Sequence, residues 1–488
     1  MADLWRLTAT EAAGLLRRKE VSPLELVEDC IARIEATDGG LNAMPTRCFD
    51  RARDHARSLK TGGAPGPLHG LPVAIKDLED VAGVRTTYGS PIWADHVPAA
   101  SDLMVTRLEN RGAIVVGKSN VPEFGAGGNS FNEVLGVTRN PWDMAASAGG
   151  SSGGSAAALA SGQVPLATGS DLGGSLRIPA SFCGVTGFRP SPGVVARGPT
   201  PDAFQDLSVA GPVARNVADA ALLLDAMSGV DKRDPLTRPA PPVSWLDQVR
   251  AALDRGDLPR RIGYSPDLGI TPVARDVDRL CREALDRLAA LGSDIAPAAI
   301  DFSDAPEAFH TLRAIGFATG HEDDLVHHRD KLKPENVWNI QKGLDLDIAD
   351  IIRATRIRGA LYQRMTAFFE TFDLLALPST IVPAIATHER YLGELDGHRF
   401  DNYVDWIMIT SVITLTSSPA ISIPCGFTDE GLPVGLQLVG PSHSDGRVLG
   451  WAAVAERTLG IAGNLPIDPR GTPGRYPDPE PADGRHRA

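Results

Sequence analysis

A block rich in glycine and serine in the first half of the chain is the most informative part of this sequence. Positions 149–155 read Gly-Gly-Ser-Ser-Gly-Gly-Ser, and positions 168–177 read Thr-Gly-Ser-Asp-Leu-Gly-Gly-Ser-Leu-Arg. Such a composition is also typical of a flexible linker. Here, however, residues 156–160 continue as a small-residue helix, and residues 164–167 have the pattern of a buried strand. We therefore predict that the block lies between packed elements.

The second half of this block has the chemistry of an acyl-transfer site. Glycines before a serine let consecutive backbone N–H groups turn toward one point, and such a nest stabilises an oxyanion. Residues 172–175, Leu-Gly-Gly-Ser, have that composition. A serine hydroxyl is a weak nucleophile and needs a base.

The base that the sequence offers is Lys76, at the end of the apolar, strand-like run of residues 72–75. Most lysines are solvated at the surface, and that alternative applies to Lys76 taken alone. A strand that reads as buried favours the other interpretation. An ammonium group cannot accept a proton, but full burial lowers the pKa of a lysine by up to about 3–5 units.

Two other motifs fit formally but lack their structural context. Residues 112–119 match a phosphate-binding loop, yet their four variable positions form a strand rather than a loop that could wrap a phosphate. Residues 150–154 match the nucleophile elbow of α/β-hydrolases, which needs a strand directly before the serine and Asp and His partners downstream. The preceding Ala-Ala-Ser-Ala is a weak strand candidate, and no context marks a downstream histidine as a base. We favour neither motif.

The order of motifs along the chain resembles the amidase-signature family. The resemblance covers roughly residues 5–460 and is densest between 70 and 215. The matching stretches are Gly70–Asp77, Gly117–Phe124, Gly149–Ser155, Thr168–Arg177, Ser181–Gly184, Gly187–Ser191 and Pro433–Gly440. Ser170 stands where many members carry threonine, and both residues supply a hydroxyl.

The resemblance implies a role for each matching position. Ser175 is implied as the nucleophile and Lys76 as the base. Ser151, on a cis peptide bond, is implied as the proton bridge between them and as a substrate contact. The resemblance further implies an oxyanion hole formed by the backbone N–H groups of Leu172, Gly173, Gly174 and Ser175. It also implies a substrate contact at the carbonyl of Gly125. Ser152, Asp171 and Arg177 are implied as supporting side chains.

Charge and cysteine usage exclude several other classes. The formal net charge is −13 over 488 residues, and an acidic surface repels nucleic acids and anionic membranes. The five cysteines are far apart, without Cys-x-x-Cys spacing, which indicates reduced thiols rather than a zinc site or a disulfide framework. The first residues show no signal-peptide pattern. We therefore expect a cytoplasmic protein with no nucleic-acid or membrane partner.

Strands that alternate with helices predict an α/β fold with a mixed central β-sheet covered by helices on both sides. We expect a single domain over residues 1–463, a helical insertion at about 265–372 that covers the active site, and a loose, proline-rich tail at 464–488. The sheet is expected to be left near residue 265 and rejoined at 374.

An uncharged stretch at residues 406–423 is long enough to raise the question of a membrane helix. It holds seven Ser/Thr residues and Pro419, and it ends in a strand-like Ala-Ile-Ser-Ile. These features favour buried core instead.

No motif in the region of about 300–405 names the substrate. Six aromatic residues there either line an apolar pocket or pack in the core, and core packing is the preferred interpretation for most: Phe309, Phe317, Trp338, Tyr362, Tyr403 and Trp406. Asp401, Asn402 and Asp405 are either polar selectors or a solvated turn.

These observations predict an amidase that cleaves an amide, anilide or carbamate through a seryl acyl-enzyme, with no metal and no organic cofactor. The expected partner is a small amide-type substrate, and a homodimer is left open. The alternative is the amidase-type, glutaminase subunit of a glutamine-dependent tRNA amidotransferase. That subunit would share the triad but work inside a complex.

Overall fold

The computed structural model describes residues 3–59 and 66–477. The strands in this part of the chain are β1 Thr46–Arg47, β2 Pro72–Lys76, β3 Ile114–Ser119, β4 Phe131–Asn132, β5 Gly136–Val137, β6 Leu166–Asp171, β7 Thr186–Arg189, β8 Val209–Ala214, β9 Arg261–Tyr264, β10 Asp294–Pro297, β11 Leu374–Pro378, β12 Glu394–Leu395, β13 His398–Arg399, β14 Ala420–Phe427 and β15 Pro433–Val439. Two pairs, β4–β5 and β12–β13, form separate small ribbons.

The helices in the same part of the chain are α1 Ala9–Arg18, α2 Pro23–Leu41, α3 Phe49–Ser58, α4 Leu103–Asn110, α5 Gly153–Ala160, α6 Arg177–Cys183, α7 Val217–Met227, α8 Trp245–Arg255, α9 Arg275–Ala289, α10 Ala305–His328, α11 Pro334–Leu344, α12 Ile348–Phe369, α13 Met408–Thr414 and α14 Asp445–Leu459. Short 3-10 helices lie at Leu4–Arg6, Pro91–Trp93, Glu123–Gly125, Arg329–Lys331, Asp405–Ile407 and Ala462–Asn464.

One mixed sheet organises the molecule, in the order β1-β3-β2-β6-β8-β7-β14-β15-β11-β9-β10. β2 runs parallel to both β3 and β6, so these strands end at the same edge of the sheet. The successive pairings from β6 across to β11 are all antiparallel. The predicted α/β fold with a mixed central sheet is confirmed.

Alternation along the strands sends side chains to opposite faces of the sheet, and helices cover both faces. In β2, Val73 and Ile75 join a cluster built on α1, α7, α9 and α14. The intervening Ala74 joins a cluster built on α2, α3 and α5. A third cluster packs α10, α12 and α13 over the end of the sheet.

The insertion is less uniformly helical than its sequence predicts. The sheet is left after Tyr264 but is rejoined already at β10, which pairs in parallel with β9. Helix α9 comes before β10, and the mainly helical part after it is residues 305–369, as α10, α11 and α12. The strand was missed because β10 is a short edge strand with exposed ends at Asp294 and Pro297, so it lacks the buried apolar run that marks the inner strands.

Residues 406–423 form a 3-10 turn, α13 and the start of β14, and most of them are buried. In the described residues no helix is both long and apolar enough to cross a membrane.

The predicted loose tail is wrong for residues 464–477, because this segment is bonded to the body. Arg33 donates to the carbonyl of Ile467 at 3.0 Å and pairs with Asp468 at 2.7 Å. The Tyr476 hydroxyl donates to Glu133 at 2.9 Å. Proline-rich composition predicts an absence of regular structure, but it does not report such side-chain anchors. The rest of the tail lies outside the described residues.

Candidate active site

Lys76 is the last residue of β2 and is completely buried. Its backbone N–H donates to Thr168 Oγ1 at 3.0 Å, which fixes the end of β2 against β6. Its Nζ atom lies 2.7 Å from Ser151 Oγ, 2.8 Å from Ser152 Oγ and 3.0 Å from Ser170 Oγ. The lysine is thus surrounded by hydroxyl groups from both halves of the glycine–serine block.

Burial lowers the pKa of Lys76 to about 7, against the upward influence of the negative charges of Glu79 and Asp171. The three contacts of Nζ are hydroxyls, which can donate to a neutral amine as well as accept from an ammonium. The arrangement therefore accommodates the neutral form. A group whose pKa lies near the working pH is suited to general base chemistry.

Ser151 lies between Lys76 and the loop that contains Gly125, the residue whose carbonyl is predicted to contact the substrate. The Gly150–Ser151 peptide bond is cis, as the resemblance implied. Ser151 is 2% exposed, and a Cβ placed on Gly125 would lie 3.4 Å from its Oγ atom. Gly125 has a φ of +73°, so a side chain there would meet both backbone strain and Ser151.

Ser175 lies in the turn between β6 and α6 and is half-buried. The N–H of Ser152 donates to its backbone carbonyl at 3.3 Å, so the segments that carry the two predicted catalytic serines are neighbours. Within residues 3–59 and 66–477, the Ser175 hydroxyl makes no hydrogen bond to another group. The step between Ser175 and Ser151 therefore stays a prediction.

The peptide unit between Gly173 and Gly174 is fixed at both of its polar atoms. The Gly173 carbonyl accepts from Thr410 Oγ1 at 2.8 Å and from Ser411 Oγ at 3.1 Å. The N–H of Gly174 donates to Asp171 Oδ1 at 2.9 Å. This N–H is directed toward Asp171, which leaves Leu172, Gly173 and Ser175 as the donors to propose for the oxyanion hole.

The other three predicted donors differ from Gly174. In the described part of the chain, the N–H groups of Leu172, Gly173 and Ser175 have no hydrogen-bond partner. Gly174 matters instead for its conformation, since its φ is +114° and a Cβ would lie 2.2 Å from Thr410 Oγ1. Only glycine fits this position.

Asp171 and Arg177 form a buried network that shapes the same turn. Arg177 donates to both Asp171 oxygens, at 2.9 and 2.8 Å, and also to Gln437 at 2.6 Å. Burial alone would raise the pKa of Asp171, but the charges of Arg177 and Arg189 outweigh burial and hold that pKa well below its ordinary value. The carboxylate stays charged and holds the N–H of Gly174.

The helical insertion is tied to the site through Glu123, which is 2% exposed. Its carboxylate accepts from Ser90 Oγ at 2.7 Å, from the N–H of Lys333 at 2.8 Å and from Asn336 Nδ2 at 2.7 Å. Glu123 begins the 3-10 turn that ends at Gly125. The start of α11 is thereby fixed beside the loop that faces Ser151.

Aromatic and aliphatic side chains of the insertion and its neighbours lie next to the site glycines. A Cβ on Gly173 would lie 3.4 Å from Phe309 Cζ and 3.7 Å from Ile407 Cδ1. A Cβ on Gly128 would lie 2.5 Å from the Trp406 ring. Of these three apolar residues only Phe309 belongs to the insertion, so the prediction that the insertion covers the active site stays a prediction.

Other residues of this region behave differently from their sequence-based interpretation. Tyr362 is 45% exposed on α12, so it lies neither in the core nor in a buried pocket. Asp405 is hydrogen-bonded to His310 at 2.7 Å and to Asn402 at 2.9 Å. Asn402 and Asp405 therefore do not form a solvated turn. Asp401 is exposed.

Sequence reasoning missed Thr410, Ser411 and Arg189. The two hydroxyl residues lie in the uncharged stretch interpreted as core, and only their contact with Gly173 reveals their position. Arg189 lies in a matching motif that carried no assigned role; it donates to the carbonyl of Asp171. No group of three or more His, Cys, Asp or Glu side chains suited to a metal occurs among the described residues.

Known proteins of similar sequence and structure point to one family. The family model described as Amidase matches residues 25–449. The acylamidase of Rhodococcus erythropolis is 34% identical over 476 residues, which cover 96% of this chain and 98% of that protein. A glutamyl-tRNA(Gln) amidotransferase subunit of Anaeromyxobacter dehalogenans is 36% identical, over 94% of this chain and 97% of its own length.

Among solved structures, a bacterial aryl acylamidase of the amidase-signature enzymes superposes with a TM-score of 0.86 at 28% identity. The match covers 95% of this chain and 99% of the aryl acylamidase. The chain belongs to the amidase-signature family.

Proposed function

We propose that this protein is an amidase that hydrolyses a carbon–nitrogen acyl bond through an acyl-enzyme on Ser175. The observation that carries the proposal is the buried Lys76, whose pKa is lowered by burial to about 7 and whose Nζ lies 2.7 Å from Ser151 Oγ. A neutral amine bonded to a serine, beside a second serine in a glycine turn, is the arrangement that nucleophilic catalysis requires.

In the proposed mechanism, Ser175 Oγ attacks the carbonyl carbon while its proton passes to Ser151 and the Ser151 proton passes to Lys76. The carbonyl electron pair moves onto oxygen, which the N–H groups of Leu172, Gly173 and Ser175 stabilise. The carbon–nitrogen bond then breaks, and the proton returns from Lys76 through Ser151 to the leaving nitrogen. A water molecule then gives a proton through Ser151 to Lys76 and attacks the acyl carbon. The bond from that carbon to Ser175 Oγ breaks, Ser175 Oγ takes the proton back, and the acid is released.

The proposed support for this chemistry comes from the surrounding residues. Ser152 and Ser170 hold Lys76 Nζ, and Asp171 with Arg177 fixes the glycine turn. The carbonyl of Gly125 is proposed as a substrate contact because its loop lies against Ser151. Every group in this mechanism is a side chain or backbone group of the chain itself.

For the substrate we propose a small amide, with anilides and carbamates as the first candidates. The similarity to an acylamidase and to an aryl acylamidase supports this class. Phe309 and Ile407 beside Gly173 supply apolar walls for an acyl or aryl group. We further propose a cytoplasmic location, and a homodimer remains a hypothesis that the molar mass in solution tests.

A second candidate is the glutaminase-type subunit of a tRNA amidotransferase, which the 36% identity to such a subunit favours. The two candidates differ in autonomy. A stand-alone amidase turns over amides as a purified single protein, whereas a subunit of this kind needs its partners and uses glutamine.

A hydrolysis panel with Ser175→Ala as the blank tests both candidates. The panel contains aliphatic primary amides, anilides, aryl carbamates, p-nitrophenyl esters and glutamine. Turnover of an anilide or carbamate that is lost in Ser175→Ala supports the stand-alone amidase. Turnover of glutamine alone favours the amidotransferase subunit, and full activity of Ser175→Ala overturns the mechanism.

A further inference from the structure

Helix α10 contacts the active site near both of its ends. Its residue Phe309 lies against Gly173 of the glycine turn. Three turns later, the His321 ring stacks on the ring of Phe124, with 4.0 Å between the ring centroids. Phe124 immediately precedes Gly125 in the sequence. Residues four apart on a helix lie on nearly the same face and about 6 Å apart along the axis. The Phe317 ring centroid lies 5.9 Å from that of His321 and 4.3 Å from the Arg313 guanidinium, so a series of contacts connects Arg313 with the Phe124 end of the site.

Of the four residues Phe309, Arg313, Phe317 and His321, Arg313 alone carries a permanent charge. It is 6% exposed. Its guanidinium lies 4.3 Å from the centroid of Phe317 and 5.2 Å from that of Tyr403, and it interacts with the Tyr403 hydroxyl. Two aromatic rings thus hold the guanidinium in one orientation.

This buried cation has no carboxylate partner among the ion pairs of the described residues. Its Nη1 atom is buried and lacks a hydrogen-bond partner there. The carboxylates of this region are already bonded elsewhere. Glu335 binds Arg390 through two bonds of 2.9 and 2.8 Å, and Glu123 accepts from three donors including Asn336. A buried charge without a counter-ion is strongly unfavourable, so the site is suited to an anion that arrives from outside.

A second donor in the same wall also lacks a partner. The indole Nε1–H of Trp406, a residue only 1% exposed, has no acceptor in the part of the chain that the structure describes. Its ring lies against Gly128, three residues after Gly125. Two buried, unpartnered donors on elements that pack against the site loops match a ligand rich in acceptor atoms.

We propose that Arg313 forms a carboxylate-binding subsite in the wall of the active site, so that the preferred amide substrate carries a carboxylate on its acyl or its amine part. This inference rests on the proposed amidase function. Arg313 binds the substrate and takes no part in proton transfer. A guanidinium presents paired N–H groups that match the two oxygens of a carboxylate.

Two matched pairs of anilides test the subsite and distinguish the two sources of the carboxylate. The acyl-side pair is the mono-p-nitroanilide of glutaric acid and pentanoyl p-nitroanilide. The amine-side pair is 4-(butyrylamino)benzoate and butyryl 4-toluidide. In the wild type, kcat/KM for the charged member of one pair is expected to exceed that of its neutral partner about 10- to 100-fold.

Three variants complete the experiment. In Arg313→Met, which keeps an unbranched side chain over Phe317, the charged-to-neutral ratio falls to about one or below. In Arg313→Lys, which keeps the charge without the fork, part of the preference is retained. Arg353→Met removes an arginine on α12 that pairs with Glu307 and Asp350 and is the matched control with an unchanged ratio. Equal ratios in the wild type and in folded Arg313→Met overturn the subsite.

A binding measurement separates failure of the subsite from failure of the proposed function. If the wild type hydrolyses no anilide of either pair, the proposed function fails, and titration calorimetry with glutarate and with 4-nitrobenzoate then decides the subsite. Tighter binding to the wild type than to Arg313→Met supports it. Absent binding, or equal binding by the two proteins, overturns it.

Discussion

The ends of β2 and β3 place two lysines side by side in the sheet, in opposite chemical surroundings. Lys76 and Lys118 are both completely buried. Lys118 pairs in register with Ile75, so it lies on the other face of the sheet from Lys76. Its Nζ lies 3.0 Å from a carboxylate oxygen of Asp77 and 2.8 Å from Thr86 Oγ1. Lys76 instead meets three serine hydroxyls.

The groups that surround a buried lysine decide whether it can act as a base. A carboxylate at 3.0 Å compensates an ammonium charge and makes the pair structural. Hydroxyl groups satisfy the hydrogen bonds of the amine but supply no opposite charge, so burial lowers the pKa, here to about 7 for Lys76. Adjacent positions of one sheet thus carry a structural cation and a candidate base.

Replacement of Lys76 should reduce activity far more than replacement of Lys118. Lys76→Met removes the proposed base, and kcat for the best substrate of the hydrolysis panel should fall about 10²- to 10⁴-fold. The variant should remain folded, because no buried carboxylate loses its partner. Circular dichroism and thermal unfolding provide the control. A kcat close to that of the wild type would contradict the proposed role.

Replacement of Lys118 should lower the stability of the protein. Lys118→Met leaves the Asp77 carboxylate buried without its counter-ion, and the free energy of unfolding should fall by about 3–5 kcal/mol. Urea unfolding measures the change.

The double variant Lys118→Met, Asp77→Asn is the matched control, since it removes the stranded charge as well and should recover part of the loss. An unfolding free energy that is unchanged in the single variant would show that the ion pair contributes nothing.

The pH dependence of kcat/KM tests the proposed role of Lys76 without replacing it. If Lys76 must be neutral, kcat/KM rises about tenfold per pH unit below an apparent pKa near 7 and levels off above it. The same ascending limb should persist in Lys118→Met. A profile that stays flat across this pKa would sink the assignment of Lys76 as the base.

Stability gives an independent measure of the same group. The pKa of Lys76 falls from its ordinary 10.5 to about 7 on folding, so between these values the unfolded chain binds more protons than the folded chain. The free energy of unfolding should therefore rise as pH rises from about 7 to about 10.5, and this contribution should be lost again as pH falls back from about 10.5 to about 7. Lys76→Met should remove this contribution from a series of urea titrations.

The smallest expected effect concerns the turn that carries the nucleophile. Thr410→Val removes the 2.8 Å bond to the Gly173 carbonyl and should lower the unfolding free energy by about 1 kcal/mol, with a modest fall in kcat. Ser411→Ala removes the longer, 3.1 Å bond to the same carbonyl and is the matched comparison. Equal kcat values in both variants and the wild type would show that the two hydroxyls do not position the turn.

Much of the fold followed from local patterns. The strand at Pro72–Lys76 was predicted with its observed bounds, because five successive buried residues leave a strong apolar run. The edge strand Asp294–Pro297 was missed because its residues are half exposed. The anchored segment at 464–477 was missed because its attachment depends on Arg33, which lies 435 positions before Asp468 in the sequence.

The candidate site divides in the same manner. The identities of Lys76, Ser151 and Ser175 could be predicted because their motifs are local and follow a recognisable order. The role of Gly174 could not be predicted, since four consecutive N–H groups look equivalent until Asp171 takes one of them. Arg313 gave no signal, because nothing in the sequence shows that a guanidinium of the insertion is buried without a carboxylate.

By itself the sequence determined the family, the mixed α/β architecture and the positions of the proposed triad, because these depend on short runs of neighbouring residues. The tertiary structure decided which lysine is held by hydroxyls, which backbone N–H groups remain unbonded, and where a buried cation meets the site. The physical reason is that a pKa and a hydrogen-bond partner depend on burial and charges from distant segments, and only folding brings those segments together.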